Sequence, residues 1–153
     1  MGAGRDVQIV AVASAGGHLE ELLEMRQAWA GYRCMYVTTS RDAVDILSGE
    51  RVAIVTDCHK GQIARTIACS AQIVALLLRT RPGCIVSTGA LPGLLAALVG
   101  RALGARVIWV DSVANAGELS ACGRWARPVA HSHFTQWPLV AAREKSEYLG
   151  SLF

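Results

Sequence analysis

Residues 7–21 read Val7-Gln8-Ile9-Val10-Ala11-Val12-Ala13, then Ser14-Ala15-Gly16-Gly17-His18-Leu19-Glu20-Glu21. The first stretch is a strand-length run, apolar apart from Gln8. Two glycines follow it, and beyond them Leu19, Leu22, Leu23, Met25 and Trp29 fall at helical spacing. A continuous apolar strand that passes through a glycine turn into a helix opens a βα unit whose strand is buried on both faces. The alternation repeats. The pattern predicts strands over Arg33–Thr38, Val52–Val55, Cys84–Ser87, Arg106–Val110 and Val129–Thr135. It predicts helices over Leu19–Trp29, Ile63–Leu78, Pro92–Leu103 and Glu118–Ala126, with Arg81-Pro82-Gly83 stopping the second of them. The implied fold is a doubly wound parallel α/β sheet in a single domain over 1–153, without repeats or linkers.

Length and composition agree. A chain of 153 residues has the size of one domain and can bury a core without staples. Its 52% hydrophobic content and net charge of +3 exclude disorder. The longest apolar runs, such as Ile73–Leu78 and Leu91–Val99, fall short of the ~20 residues of a membrane-spanning helix. The run Val7–Ala13 leads into glycines and charges rather than a cleavage site, which argues against a secretory signal. Fifteen basic residues against twelve acidic ones form no basic tract, and no aromatic-basic cluster of the base-stacking kind is present. Nucleic acid is therefore not an expected partner, whereas an anionic membrane surface suits a mildly cationic, apolar domain. The five cysteines, Cys34, Cys58, Cys69, Cys84 and Cys122, include no C-x-x-C pair and read as reduced core residues of a cytosolic protein. Cys58-His59 and His131-x-His133 lack the further ligands a zinc site needs, so no metal is expected.

In doubly wound sheets ligands bind beyond the carboxyl ends of the strands. Three loops there carry polar groups. After Ala13, Gly16 and Gly17 allow a tight turn and a close backbone approach, and the free N–H groups of the helix start favour an anion such as a diphosphate. Ser14 joins that loop, His18 at its mouth is a candidate proton acceptor, and Glu21 is either a functional acid or a helix N-terminal one. The loop matches neither G-x-G-x-x-G nor G-x-x-x-x-G-K-[ST]. After Ser87 comes Thr88-Gly89-Ala90-Leu91-Pro92-Gly93, a phosphate or sugar loop or an ordinary connection. After Val110, Asp111 and Ser112 stand where a carboxylate binds a sugar hydroxyl, acts as a base or caps a turn. Helix Pro92–Leu103, apolar nearly all round, is either buried or faces a membrane or partner.

Taken together the loops resemble a known family. Ser14-Ala15-Gly16-Gly17-His18-Leu19-Glu20-Glu21 resembles the S-x-G-G-H-x-x-E opening of the acceptor-binding, membrane-associated subunit of two-component glycosyltransferases. These are the ALG-type anchor subunit of the transferase adding the second N-acetylglucosamine to dolichol diphosphate, and bacterial relatives in exopolysaccharide and capsule assembly. Ser87–Gly93 is similar to the family's second glycine loop. Asp111-Ser112 with Leu119-Ser120 and Gly123-Arg124 resembles its E-S…L-S…G-K segment, and Phe134-Thr135-Gln136-Trp137-Pro138 its F-x-V-Q-W-P run. Tyr148–Phe153 resembles its ending. Asp111 stands where the family has Glu, Asn115 where it has Arg, and His131 where it has Asp. No segment of residues 1–153 resembles the eukaryotic subunit's N-terminal membrane helix.

The resemblance implies the Rossmann-like N-terminal half of a GT-B glycosyltransferase, similar to the acceptor half of the peptidoglycan enzyme that adds N-acetylglucosamine to a lipid diphosphate. It implies inverting transfer from a UDP-sugar to a lipid-diphosphate-linked saccharide, with no cofactor or metal supplied by this chain. The UDP-sugar half would be a separate donor-binding subunit, forming a heterodimer on the cytoplasmic face of the membrane by peripheral contact. Ser14, Gly16 and Gly17 would bind the acceptor diphosphate, and Ser87, Thr88, Gly89 and Ser112 the acceptor sugar. His18 is the first candidate base, ahead of Asp111 and Glu21. Two other classes fit the same loops: a self-contained flavodoxin-like nucleotide- or flavin-binding domain, and a structural subunit that recruits a partner without a site of its own.

Overall fold

The computed structural model describes residues 7–153; of the domain expected over 1–153, residues 1–6 lie outside the described residues. Six strands form one sheet in which every pair is parallel: β1 (Ile9–Ala13), β2 (Cys34–Thr38), β3 (Arg51–Ile54), β4 (Cys84–Ser87), β5 (Arg106–Val110) and β6 (Ser132–Phe134). Their spatial order is β3-β2-β1-β4-β5-β6. The helices are α1 (Gly17–Glu24), α2 (Ala43–Ile46), α3 (Ile63–Thr80), α4 (Ala90–Ala102), α5 (Ala121–Ala126) and α6 (Pro138–Glu144). This is a doubly wound, Rossmann-like α/β fold.

Two cores explain why the strands are apolar throughout. Side chains alternate across a strand, so Val10, Val12, Val37, Ile85 and Val107 meet Cys69, Ile73 and Leu77 of α3 and Ala96 and Ala97 of α4 on one face. Ala11, Ala13, Tyr36 and Val86 meet Leu19 and Leu22 of α1 on the other, with Trp29 and Ala43. Beyond α1, over β4, β5 and β6, that second face holds an open groove of about 520 Å³. Cys84, Val86, Ile108, Val110 and Phe134 form its floor, and Leu149 and Leu152 its rim.

The periodicity located the long elements and blurred the short ones. The expected helix Leu19–Trp29 is instead α1 followed by a 3-10 turn, Met25–Trp29. The tighter winding at the helix end seats the Trp29 indole, whose N–H donates to the Tyr36 hydroxyl at 3.1 Å. The last strand shrinks to three residues, with His131 exposed ahead of it, so His131 and His133 do not share a strand face. Helix α5 starts at Ala121 rather than Glu118, because the Ser120 side chain caps it by accepting from Gly123 N at 2.8 Å. Helices α2 and α6 were not anticipated. The first has four residues, too few to show a period, and the second is announced only by Pro138 in its first turn.

Helix α4 is the buried one. Pro92, Gly93, Ala96, Ala97 and Gly100 face the sheet, and a Cβ on Gly100 would lie 2.5 Å from Ile85 Cγ1. The exposed apolar face belongs to α3, where Ile63 is 75% and Ile67 64% exposed. By length and composition alone α3 is apolar enough to cross a membrane. The uninterrupted runs hid this, since Arg65, Thr66, Ser70 and Gln72 break them. Its Cys69, Ile73, Leu77 and Thr80 stripe packs into the core.

Candidate functional site

The strand order reverses between β1 and β4: the chain leaves β1 toward β2 on one side and leaves β4 toward β5 on the other. Their βα loops splay apart and leave a crevice at the carboxyl edge, the usual ligand position in such sheets. A cleft of about 640 Å³ lies there. Ser14 and His18 line it from the β1–α1 turn, and Ala90, Leu91 and Leu94 from the start of α4. Asp57, Cys58, His59 and Lys60 line it from the β3–α3 loop, and Ala121, Cys122 and Trp125 from α5.

His18 is fixed at this crevice by reciprocal bonds to the β4–α4 loop. Its Nδ1 lies 3.1 Å from Thr88 O, and the Thr88 hydroxyl donates to His18 O at 2.5 Å. A carbonyl only accepts, so Nδ1 is the donor in this contact, and Nε2 is the ring nitrogen left to face the cleft. Gly89 makes room for the imidazole: with φ 135°, it would place a Cβ 2.8 Å from His18 Cε1. Gly16, with φ 79°, makes the turn into α1, and its carbonyl accepts from Leu19 N at 2.9 Å and Glu20 N at 3.1 Å. Gly17 has no positive φ, and a Cβ on it would meet nothing within 4 Å. The turn therefore demands glycine only at Gly16, while Gly17 leaves open space beside the helix start.

The other residues expected at the site lie beneath the cleft. Ser87 and Thr88 are fully buried, and Ser87 Oγ accepts from Gly89 N at 3.2 Å. Ser112 Oγ donates to Glu21 Oε1 at 2.8 Å, and Val113 N donates to the same oxygen at 3.0 Å. Glu21, 2% exposed, thus ties α1 to the β5–α5 loop. Its Oε2 is the buried side-chain polar atom that, among the described residues, has no hydrogen-bond partner. Asp111 is fully buried. Its Oδ1 accepts from Trp109 Nε1 at 3.1 Å and Ser120 Oγ at 2.6 Å, and its Oδ2 from Ser120 N at 2.8 Å. A Cβ on Gly123 would strike Asp111 Oδ1, so the glycine admits the carboxylate against α5. The Gln136-Trp137 pair braces the same loop: Gln136 Nε2 donates to Asp111 O at 3.2 Å and Trp137 Nε1 to Val113 O at 2.7 Å.

Electrostatics narrow the chemistry. Burial first, then the charges of Asp111 and Cys58, hold the Cys122 thiol above its usual range. Cys58 is likewise raised, mainly by burial, and Cys69 behind it is pushed up to about 12 by burial and by Cys58. The cleft therefore carries no thiolate nucleophile at neutral pH. Ser14, His18, His59, Asp57 and Lys60 remain as its polar groups, against an apolar wall that includes Trp125, 73% exposed.

Two contributors escaped the sequence reading, the Asp57–Lys60 loop and Trp125. The signal for the first was present, since a predicted strand ends just before Thr56 and every carboxyl-edge loop is a candidate. This loop lacks the paired glycines that mark the one after Ala13.

No family model matches the sequence, and no curated protein does. Solved structures do. MurG of Acinetobacter baumannii superposes with a TM-score of 0.70 at 12% identity, over 86% of this chain and 42% of MurG. UDP-GlcNAc 2-epimerase of Methanocaldococcus jannaschii gives 0.62 at 16% identity, over 92% of this chain and 43% of the epimerase. Another UDP-N-acetylglucosamine 2-epimerase gives 0.67 at 12% identity, over 93% and 46%. This chain spans less than half the length of each. What it shares with them is the fold: a six-stranded, all-parallel, Rossmann-like sheet with flanking helices, of the kind that forms GT-B domains.

Proposed function

We propose that this chain is the acceptor-binding subunit of a bipartite inverting glycosyltransferase. It would take a lipid-diphosphate-linked saccharide as acceptor, while a separate subunit holds the UDP-sugar. The observation that carries this reading is His18: a cleft-lining imidazole locked by Thr88 O on Nδ1, with Nε2 free, directly above the glycine turn. In the reaction an acceptor hydroxyl gives its proton to His18 Nε2, its oxygen bonds to the anomeric carbon, and the bond to UDP breaks. The diphosphate of the acceptor lies at the open start of α1, beside Ser14 and Gly17, where free backbone N–H groups favour an anion. Asp111, Glu21, Ser87, Thr88, Gly89 and Ser112 serve this site from below, by holding His18 and the loops in place.

The other parts of the reading have their own support. Parallel sheets bury both faces, so the open apolar groove over β4, β5 and β6 favours a partner chain that covers it. The exposed apolar face of α3 favours peripheral contact with a membrane surface, which in this reading is its cytoplasmic face.

The test is reconstitution with the donor-binding partner. The isolated chain turns over no UDP-sugar, and the complex does. His18→Ala lowers kcat by roughly 10²–10⁴-fold with modest change in acceptor affinity, and His18→Gln restores binding but not rate. Near-normal turnover by both folded variants, or failure to form a complex, refutes the reading.

A further inference from the structure

The β3–α3 loop has no role in the mechanism above, yet it closes one side of the cleft. Its backbone is braced against α3: Thr56 N donates to Gln72 Oε1 at 2.7 Å, and Arg65 Nε donates to Asp57 O at 2.8 Å. Asp57 Oδ2 in turn lies 3.0 Å from His59 Nε2. Gly61, with φ 93°, turns the chain, and Gln62 N donates to His59 O at 3.1 Å. This bracing leaves His59 and Lys60 at the loop tip, lining the cleft opposite Ser14 and His18. The chain has two lysines, Lys60 and Lys145, and the one at this cleft forms no ion pair among the described residues.

Charge balance gives that ammonium a purpose. A helix start supplies an effective charge of only about +0.5, while a lipid diphosphate carries roughly two negative charges at neutral pH. The amides of α1 therefore leave most of the acceptor's charge uncompensated. We infer that Lys60 binds the acceptor diphosphate from the side facing α1, while Asp57 holds the neighbouring His59 ring through its Nε2. This rests on the acceptor-binding reading and adds to it a specificity determinant for an anionic, amphiphilic acceptor. The arrangement suits such a molecule throughout. Beside the cation stand Leu91, Leu94 and Trp125, and past the turn at Gly61 come the exposed Ile63, which starts α3, and Ile67 about one helical turn later, along which a lipid chain would continue.

The experiment titrates inorganic pyrophosphate and farnesyl diphosphate into the isolated chain, following tryptophan fluorescence and the His59 imidazole resonances. Lys60→Met weakens both ligands about tenfold, the usual cost of losing one hydrogen bond to a charged group, and flattens the salt dependence. Lys60→Arg stays within a few-fold of the wild type. Lys145→Met, which removes the same charge elsewhere, leaves binding unchanged. Wild-type affinity in Lys60→Met overturns the inference while the acceptor reading stands, and so does equal weakening by Lys145→Met. If the wild-type chain binds neither ligand, the acceptor reading falls and takes this inference with it.

Discussion

At the residue scale, the site depends on a few positions where an atom is missing or a nitrogen is held. Gly89 is one of them. Its φ of 135° lies where L side chains rarely go, and its absent Cβ is the space that the His18 ring occupies. Gly89→Ala should therefore act twice. It should destabilise the chain by about 1–3 kcal/mol through backbone strain, read by urea unfolding. It should also move the imidazole away from Thr88 O, seen as a shift of the His18 ring resonances. An unmoved His18 in a variant of wild-type stability would show that the glycine is incidental. Gly17→Ala, by contrast, meets open space without a strained φ and should fold normally. Asp111 shows the opposite economy. Three donated hydrogen bonds and the gap at Gly123 fasten its carboxylate between β5 and α5, so its proton-accepting oxygens are already engaged.

At the element scale, α3 and α4 exchange the roles that their compositions suggest. Helix α4 is the more uniformly apolar, and it is buried because Gly93, Ala96, Ala97 and Gly100 let it approach the sheet closely. Helix α3 shows one stripe to the core and another, beginning at Ile63 and Ile67, to solvent. If α3 is the membrane-contacting element, Ile63→Ser with Ile67→Ser should reduce binding to vesicles of phosphatidylcholine and phosphatidylglycerol by tenfold or more. Each buried isoleucine is worth about 1.5–3 kcal/mol. Both side chains are exposed, so stability should hardly change. Undiminished vesicle binding by the double variant would remove α3 from that role.

At the scale of the whole molecule, the strand order determines which loops meet. β1 and β4 are sequence-distant neighbours, and their pairing brings His18 to Thr88, seventy positions along the chain. The far end of the sheet carries a pH-sensitive fastening. His133 stacks on Trp109 with ring centroids 6.4 Å apart, its Nε2 donates to Gly123 O at 2.9 Å, and Ser146 Oγ lies 3.0 Å from Nδ1. Burial pushes its pKa below the usual 6.5, against the smaller upward pulls of the Gly123 carbonyl and Asp111. The unfolded chain therefore takes up a proton here before the folded chain does. The stability this ring contributes is complete above pH 6.5 and is lost as pH falls from there toward the depressed folded value. Urea unfolding between pH 7.5 and 5 should show a decline from this group of at most about 1.4 kcal/mol per pH unit. His133→Asn should flatten it, and an unchanged slope in that variant would assign the decline to other groups.

Much of the architecture was legible in the sequence because it is local. Apolar runs of strand length, such as Val7–Ala13, alternate with helical stretches, and this alone implies a parallel sheet buried on both faces. Gly16 announced the turn into α1 for the same reason, since a left-handed backbone position is a property of one residue and its neighbours. What the sequence could not reveal depends on contacts between distant segments. Its polar loops had the right composition, but Ser87, Thr88, Ser112 and Asp111 face inward and spend their hydrogen bonds on the scaffold. The Asp57–Lys60 loop and Trp125, unremarkable in sequence, face the cleft. Which hydroxyl reaches the cleft and which is consumed beneath it follows from strand order and helix packing, and these are settled only when the whole core closes.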